Sequence, residues 1–477
     1  MPAITGEEYI RRIDALESEV WIDGERIQGN ISQHSAFQGV IQSQAELYDI
    51  QHSQAEEMMT FSSDTTGHQI GTSYLIPKTK QDLQARRKMI QRWARHTGGL
   101  MGRSPDYMNT VLASYAASAN ILEGEENCFP ERLRSFYEYA REHDLSFTHT
   151  FLKPQSNRST LSVLDEDVTN AKIVKSTDEG IIIKGAKLLA TQGGITDEII
   201  VLSAPGGIEE AEAYAFSIPS NTPGLKFVAR ESFVTGKSRF NAPLSSRFEE
   251  MDTIVLFDDV LVPWERVFIY KNIKAMDDLY KKGKFTPFTL HQIVSRQVIK
   301  IELLLGIAQI IVETINISEY QHVQSKVTEI IKGLETMQAL LIYSEEQGLI
   351  EESTGVYIPA RQPLYIAINQ FQELYPRFTE ILQQLGASGM MTIPTESDFE
   401  SSIGADLKNY LQATDKNGKE RVRLFRLAWD ISMSAFGARQ TLYERFFFGD
   451  PVRLSQTIYH TYDKQPACTF AEKFMKE

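Results

Sequence analysis

The stretch LSFTHTFL, residues 145–152, marks the point where the hydrophobic pattern of the chain changes from helical to strand-like. Apolar and polar residues alternate here, which predicts that His149 shares one strand face with three large apolar residues. A histidine in such a place is often a buried core residue rather than a ligand-binding one. However, Pro154 then opens the run PQSNRS, whose hydrogen-bonding side chains exceed what a plain turn needs. This run favours a functional site at the end of the strand.

The patterns on either side of this stretch predict the domain organisation. Most of the preceding chain has helical spacing, with one hairpin signal at VWIDGERI, where Asp23-Gly24 suits a tight turn. Short β runs follow, beginning with AKIVKSTDEGIIIKGAKLLAT about a turn at residues 177–180. Helical spacing returns at Phe285, and residues 290–315 are apolar over more of the helix than one packed face requires, which predicts cover by neighbouring helices or subunits. We predict an α+β protein with an N-terminal helical domain over 1–144, a central β-barrel-like domain over 145–270 and a C-terminal helical bundle over 271–477.

Composition excludes several classes of function. The 63 acidic and 49 basic side chains give a net charge of −14 without a basic run, which argues against a nucleic-acid partner. Neither a signal peptide nor an apolar stretch of membrane-spanning length is present, so we expect a cytoplasmic protein with no membrane contact. Cys128 and Cys468 are too few for a disulfide framework or an iron–sulfur cluster, and the nine histidines show no metal-binding motif. There is no dinucleotide-binding glycine fingerprint and no P-loop, so any nicotinamide chemistry is expected on another protein.

The segment MGRSPDYMN, residues 101–109, predicts a helix start with Ser104 as N-cap and Pro105 as the first helical residue. Arg103 and Tyr107 stand one turn apart and can present a cation and a phenol on one face. That pair suits an aromatic ligand with an anionic or hydroxyl group. The alternative is a well-capped surface helix with a solvated arginine.

A third polar segment, AFGARQTLYERFFFGDP, places Gly437, Arg439 and Gln440 before an aromatic run. Its alternative interpretation is a helix with a solvated arginine, followed by buried phenylalanines and a Gly-Asp-Pro stop. Periodicity does not separate the two interpretations, and each of the three segments alone is a weak signal.

Together, however, GLMGRSPDYMN, THTFLKPQSNRS, GAKLLAT, FDDVLVPWERVF, LHQIVSRQVIKIELLLGIA and FGARQTLYERFFFGDP resemble the 4-hydroxyphenylacetate 3-monooxygenase oxygenase component family. The resemblance runs in the same order from about residue 5 to about residue 470. It implies an acyl-CoA dehydrogenase-like fold, a homotetramer, and FAD bound in its reduced form between the β domain and the bundle. It also implies that a separate NAD(P)H:flavin reductase supplies the reduced FAD, and that O2 is used to hydroxylate a phenol such as 4-hydroxyphenylacetate to a catechol, in aromatic hydrocarbon catabolism.

The resemblance also assigns site residues. Arg103, Tyr107 and His149 are implied to bind the phenol and to act in catalysis. The implied flavin contacts are Gln155, Ser156, Asn157, Arg158, Thr191, Gly437, Ala438, Arg439 and Gln440. Relatives that bind hydroxyphenylacetate place a Ser-Thr pair near the substrate carboxylate, whereas this chain has Ser203-Ala204. Ser203 is therefore the predicted contact, and the acid side chain of the substrate is left open.

Two other functions stay open from the sequence. An acyl-CoA dehydrogenase-like flavin enzyme would need a carboxylate base over the flavin, and we find no convincing candidate. A non-catalytic flavin- or ligand-binding relative would not need Arg103, Tyr107 and His149. The related 4-hydroxybutyryl-CoA dehydratases hold an iron–sulfur cluster with three cysteines and a histidine, which two cysteines exclude. Catechol formation from a phenol and reduced flavin would discriminate the remaining possibilities.

Overall fold

The structure is a computed structural model, and it describes residues 3–53, 59–154, 169–204, 206, 209–234 and 238–475. The predicted α+β class is confirmed, since helices precede and follow a central β region. Among the described helices, none has the length and apolar character needed to span a membrane. The domain boundaries at residues 144 and 270 stay a prediction.

Five helices lie in the first part of the described chain, where the spacing predicted mostly helical structure. They are α1 Gly6–Leu16, α2 Gln38–Ser53, α3 Lys80–Thr97, α4 Pro105–Ala116 and α5 Pro130–His143. The ends of α3 show why the pattern is readable. It begins at a capping box in which Thr79 and Asp82 exchange backbone-to-side-chain hydrogen bonds of 2.9 and 3.1 Å. It ends at Gly98, whose left-handed φ of 63° suits glycine.

Twelve strands precede α7 in the described chain, and ten of them form two sheets in the central region. The strands are β1 Val20–Ile22, β2 Glu25–Arg26, β3 Thr60–Ser62, β4 Gln69–Gly71, β5 Phe147–Thr150, β6 Lys172–Ser176, β7 Gly180–Thr191, β8 Glu198–Leu202, β9 Tyr214–Pro219, β10 Leu225–Ala229, β11 Asp252–Pro263 and β12 Val267–Tyr270. Among the described residues, one sheet has the order β2-β1-β10-β11-β7-β6 and the other the order β12-β9-β8-β5. Phe216 of β9 meets Phe257 of β11 edge to face, with ring centroids 6.5 Å apart. A short helix, α6 Ser245–Phe248, precedes β11.

The predicted hairpin near the N-terminus belongs to the central sheet. Asp23 and Gly24 connect β1 and β2 with positive φ values of 52° and 83°, as a type I′ turn requires. The first strand pairs in parallel with β10, with Val20 opposite Phe227. The N-terminal helices are thus tied to the β region by backbone hydrogen bonds.

Helices dominate the chain after β12. They are α7 Ile273–Lys282, α8 Phe285–Thr314, α9 Gln321–Glu346, α10 Arg361–Gly386, α11 Glu396–Glu400, α12 Gly404–Tyr410, α13 Gly418–Ser432, α14 Ala435–Phe446, α15 Pro451–Thr461 and α16 Gln465–Met475, with a hairpin of β13 Leu349–Glu351 and β14 Val356–Ile358. Every residue of α8 from 286 to 301 is buried, because α3, α4, α9 and α10 of the same chain pack around it. The first half of this helix is therefore covered within one chain, whereas Ile310 in its second half is 42% exposed.

The structure differs from the sequence prediction in its finer divisions. The helical segment 418–446 is divided into α13 and α14, because Ser434 caps the second helix by accepting a hydrogen bond from the Gly437 N–H. The hairpins β3–β4 and β13–β14 and the strand β12 were not predicted. Strands of three or four residues are too short to show a periodic pattern.

Candidate active site

A buried carboxylate fixes the backbone just before α4. Glu250 accepts hydrogen bonds from the backbone N–H of Gly102 at 2.8 Å and of Arg103 at 2.6 Å. Ser104 occupies the predicted N-cap position, but its hydroxyl donates to the Asp106 carboxylate at 2.6 Å instead of capping the helix. Glu250, rather than the serine, therefore sets the direction in which Arg103 leaves the backbone.

The side chain of Arg103 is buried, with 8% of its surface exposed. Its guanidinium carbon lies 4.1 Å from the ring centroid of Tyr107 and 5.2 Å from that of Phe447. Nη1 donates to the hydroxyl of Tyr443 at 2.5 Å, whereas Nε is buried without a hydrogen-bond partner among the described residues. The solvated-arginine alternative is therefore wrong. This side chain holds an unused N–H group in aromatic surroundings, where a cation–π contact contributes about 2 kcal/mol.

His149 lies beside the same tyrosine. Its ring centroid is 5.8 Å from Tyr107 and also 5.8 Å from Phe151, on which it stacks at 19°. Burial, with a smaller effect of the Arg103 charge, lowers the pKa of His149 to about 3. The imidazole is neutral near pH 7, so one ring nitrogen donates and the other accepts. The structure thus brings together the three residues predicted to act in catalysis.

Two of the predicted flavin contacts meet at one carboxylate. Asp252 accepts a hydrogen bond from the Thr191 hydroxyl at 2.8 Å and from Arg439 Nε and Nη2 at 2.9 and 2.6 Å. Burial alone would raise the pKa of Asp252, but the charges of Arg439 and Arg230 and these hydrogen bonds lower it to about 2. The ionised carboxylate therefore joins the end of β7 to α14 through a bidentate ion pair.

The two groups of residues adjoin each other. Oε2 of Glu250 lies 3.6 Å from Nη1 of Arg439, an atom that is buried without a hydrogen-bond partner in the described part of the chain. Thr148, the strand neighbour of His149, donates to the Thr191 carbonyl at 2.7 Å. Arg103, Tyr107 and His149 therefore adjoin Thr191 and Arg439 in one continuous region.

Among the remaining predicted residues of α14, Gly437 and Gln440 make hydrogen bonds within the chain and Ala438 is exposed. Gly437 and Ala438 stand in its first turn, and the Gly437 N–H is used in capping the helix. Gln440 is fully buried, and its amide donates to the Leu100 carbonyl at 3.0 Å and accepts from Lys300 at 2.6 Å. Their contact with a flavin stays a prediction.

Two family models account for nearly the whole chain: 4-hydroxyphenylacetate 3-hydroxylase N terminal over residues 5–269 and 4-hydroxyphenylacetate 3-hydroxylase C terminal over residues 276–476. The chain belongs to the 4-hydroxyphenylacetate 3-hydroxylase family. It is 55% identical to a probable 4-hydroxyphenylacetate 3-monooxygenase of Bacillus subtilis (strain 168), over 100% of this chain and 99% of the relative. It is 44% identical to the 4-hydroxyphenylacetate 3-monooxygenase oxygenase component of Thermus thermophilus, over 100% and 98%.

Solved structures agree with membership of the hydroxylase family. The crystal structure of an oxygenase component (HpaB) of 4-hydroxyphenylacetate 3-monooxygenase, complexed with FAD and 4-hydroxyphenylacetate, matches with a TM-score of 0.93 at 44% identity, covering 99% of this chain and 98% of that one. A 4-hydroxybutyryl-CoA dehydratase from N. maritimus matches with a TM-score of 0.89 at 20% identity, covering 99% and 95%, and shares the fold alone. The α+β fold of the hydroxylase family is confirmed.

Some predicted site residues of this hydroxylase-family chain are not in the cluster. Gln155, Ser156, Asn157 and Arg158 lie outside the described residues. Ser203 follows β8, and its hydroxyl accepts a hydrogen bond from the Tyr214 N–H at 2.9 Å. Ser203 lines a separate small cavity with Lys153 and Glu212, and the cluster around Arg103 does not line that cavity. Its contact with a substrate carboxylate stays a prediction.

Sequence reasoning missed three residues that organise the site of this hydroxylase-family chain. Glu250 and Asp252 stand in the segment EEMD, which has the composition of an exposed acidic turn. Tyr443 lies in the quoted segment LYERFFF, where its spacing from Arg439 and Phe447 placed all three on one helix face. That shared face was the one available signal. Among the described residues, no three His, Cys, Asp or Glu side chains lie together as a metal site.

Proposed function

We propose that this chain is the oxygenase component of a two-component monooxygenase that hydroxylates a phenol such as 4-hydroxyphenylacetate, ortho to its hydroxyl, to a catechol. The named activities of the 44–55% identical relatives support the reaction. The observation that carries the proposal is the buried cluster in which Arg103 lies over Tyr107 beside a neutral His149. Reduced FAD comes from a separate NAD(P)H:flavin reductase, since the sequence has no dinucleotide-binding fingerprint.

The cluster suits the binding and activation of a phenol. The neutral His149 accepts a hydrogen bond from the phenol hydroxyl, and Nε of Arg103, a charged donor without another partner in the described residues, donates to the same oxygen. Both contacts favour phenolate character, which raises the electron density at the ortho carbon. Tyr107 and Phe151 contribute aromatic walls that keep water from the reacting atoms.

The donor groups of the region fit a flavin. Reduced FAD, when bound, would react with O2 and so provide the oxygen atom that is transferred to the phenol ring. Arg439 offers the buried Nη1 without a hydrogen-bond partner among the described residues, and an isoalloxazine ring has carbonyl oxygens that accept such a bond. We assign Thr191 and Arg439 as flavin contacts, and retain Gln155 to Arg158, Gly437, Ala438 and Gln440 as proposed contacts.

One experiment separates this function from its alternatives. The purified chain is mixed with photoreduced FAD, O2 and a panel of phenols that includes 4-hydroxyphenylacetate. We expect catechol formation and no NADH oxidation by the chain alone. An acyl-CoA dehydrogenase-like enzyme would instead reduce its flavin with an acyl-CoA, and a non-catalytic relative would release only hydrogen peroxide. Absence of catechol with every phenol would overturn the proposal.

The proposal includes a homotetramer that acts in the cytoplasm. Helix α16 has no buried residue within the chain, and Phe470, Phe474 and Met475 are 62%, 67% and 84% exposed. Large apolar side chains clustered on a surface usually mark an interaction site. We assign the cover of these side chains, and of the exposed Ile310 in α8, to the other subunits. Light scattering should give a mass near four chains, and a monomer at micromolar concentration would contradict it.

A further inference from the structure

Tyr443 connects the C-terminal helices to the arginine of the site. Its hydroxyl accepts the hydrogen bond from Arg103 Nη1, and its ring stacks on Phe447 at 4.5 Å and 5°. The guanidinium carbon of Arg103 lies 5.3 Å from the centroid of the same ring. A single side chain of α14 thus provides both a hydrogen bond and an aromatic surface to Arg103.

The backbone beside Arg103 makes room for this tyrosine. A Cβ atom added to Gly102 would lie 2.2 Å from the Tyr443 hydroxyl oxygen and 2.4 Å from the adjoining ring carbon. Any larger residue at position 102 would therefore push Tyr443 away from Arg103. Glu250 accepts hydrogen bonds from the N–H groups of both Gly102 and Arg103, which fixes the backbone on the Arg103 side of the Arg103–Tyr443 contact. On the other side, the ring of Phe447 stacks on Tyr443 and limits its movement.

We propose that Tyr443 is a positioning residue for the reaction. By holding Nη1, it fixes the orientation of the guanidinium, and therefore of the buried Nε–H group that we propose donates to the phenol oxygen. This inference rests on the proposed function in one respect, namely that the phenol oxygen binds beside Arg103. Tyr443 acts through Arg103 and makes no contact with the reacting atoms.

The test is a titration with 4-nitrophenol, whose phenolate form absorbs visible light and whose neutral form does not. Tyr443→Phe keeps the stacked ring and removes the hydroxyl. Losing one hydrogen bond of ordinary strength lets the guanidinium move, so we expect roughly fivefold less bound phenolate at fixed pH. The matched control is Tyr375→Phe, because Tyr375 is a buried tyrosine of the bundle whose hydroxyl has no hydrogen-bond partner in the described part of the chain.

A double-mutant comparison assigns the effect to Arg103. In an Arg103→Lys background, Tyr443→Phe should cause no further loss of bound phenolate, since lysine lacks the held Nη1. A fivefold loss in both backgrounds, or an equal loss in the Tyr375→Phe control, would overturn the inference. Thermal melting confirms that each variant is folded.

The outcome is separable from that of the proposed function. A wild-type chain that binds 4-nitrophenolate but forms no catechol would refute the function and leave the Tyr443 titration valid. If the chain bound no phenol, crystal structures of the wild type and of Tyr443→Phe would decide the matter. A displaced Arg103 guanidinium supports the positioning role, and an unmoved one refutes it.

Discussion

The depressed pKa of His149 leads to a measurable link between pH and stability. An imidazole in the unfolded chain takes up a proton near its ordinary pKa of 6.5, whereas folded His149 does so only at about 3. The unfolded state therefore binds more protons between these values, so stability is fully present above pH 6.5 and falls as the pH is lowered. At pH 5 the loss amounts to about 2 kcal/mol, from 1.36 kcal/mol per pH unit.

Comparing the wild type with His149→Gln isolates this contribution. Urea unfolding at pH 8 and pH 5 should show the free-energy difference between the two proteins shifting by about 2 kcal/mol in favour of the variant at pH 5. His322→Gln, which removes an exposed imidazole, provides the background effect of the substitution. A difference that stays constant between pH 8 and pH 5 would show that folded His149 is not held neutral. The proposed acceptor role for the imidazole would then fail as well.

Three further predictions concern other parts of the site and the assembly. Arg103→Ala should lower the catechol formed per FAD oxidised by tenfold to a hundredfold, because it removes a charge-assisted contact of about 1.5–3 kcal/mol, and hydrogen peroxide should rise. Tyr107→Phe, which loses only a hydroxyl, should have a smaller effect. An unchanged ratio of catechol to peroxide in Arg103→Ala would refute this role. Arg439→Ala should reduce the free energy of unfolding in urea by about 3 kcal/mol, because Asp252 stays buried with a weaker ion pair, and a loss below about 1 kcal/mol would contradict this. Removing residues 464–477 should leave the circular dichroism of the fold intact while reducing the mass measured by light scattering, and an unchanged assembly would show that α16 is not the contact.

Sequence patterns were sufficient where an element is long and one face is buried. β7 lies where the alternation before GAKLLAT and the turn at residues 177–180 predicted it, and α8 lies within the apolar segment after Phe285. The Arg103–Tyr107 contact was also predictable, because residues one turn apart meet at a helix start. These features depend on neighbours in sequence, which a single chain displays directly.

The partners of these residues could not be predicted in the same way. Glu250, just before β11, and Tyr443, in α14, come from segments far along the chain, and only the tertiary fold brings them to Arg103. The sequence left His149 either as a core histidine or as a ligand-binding one, and the structure shows it buried and in contact with Tyr107. Burial, with a smaller effect of the Arg103 charge, lowers the pKa of His149 to about 3. The residue can therefore be buried in the core and still be the proposed phenol-binding group.

The parallel pairing of β1 with β10 has a consequence for how the chain is made. A ribosome releases Val20 long before its strand partner Phe227 exists, so the early strand waits with an unpaired edge while the intervening residues emerge. Such an edge is a site for pairing with other nascent chains, and folding that depends on distant contacts is slow. Producing residues 1–144 as a separate fragment would leave that edge permanently open. We therefore expect such a fragment to aggregate, and its recovery to require co-expression with the segment that contains β10.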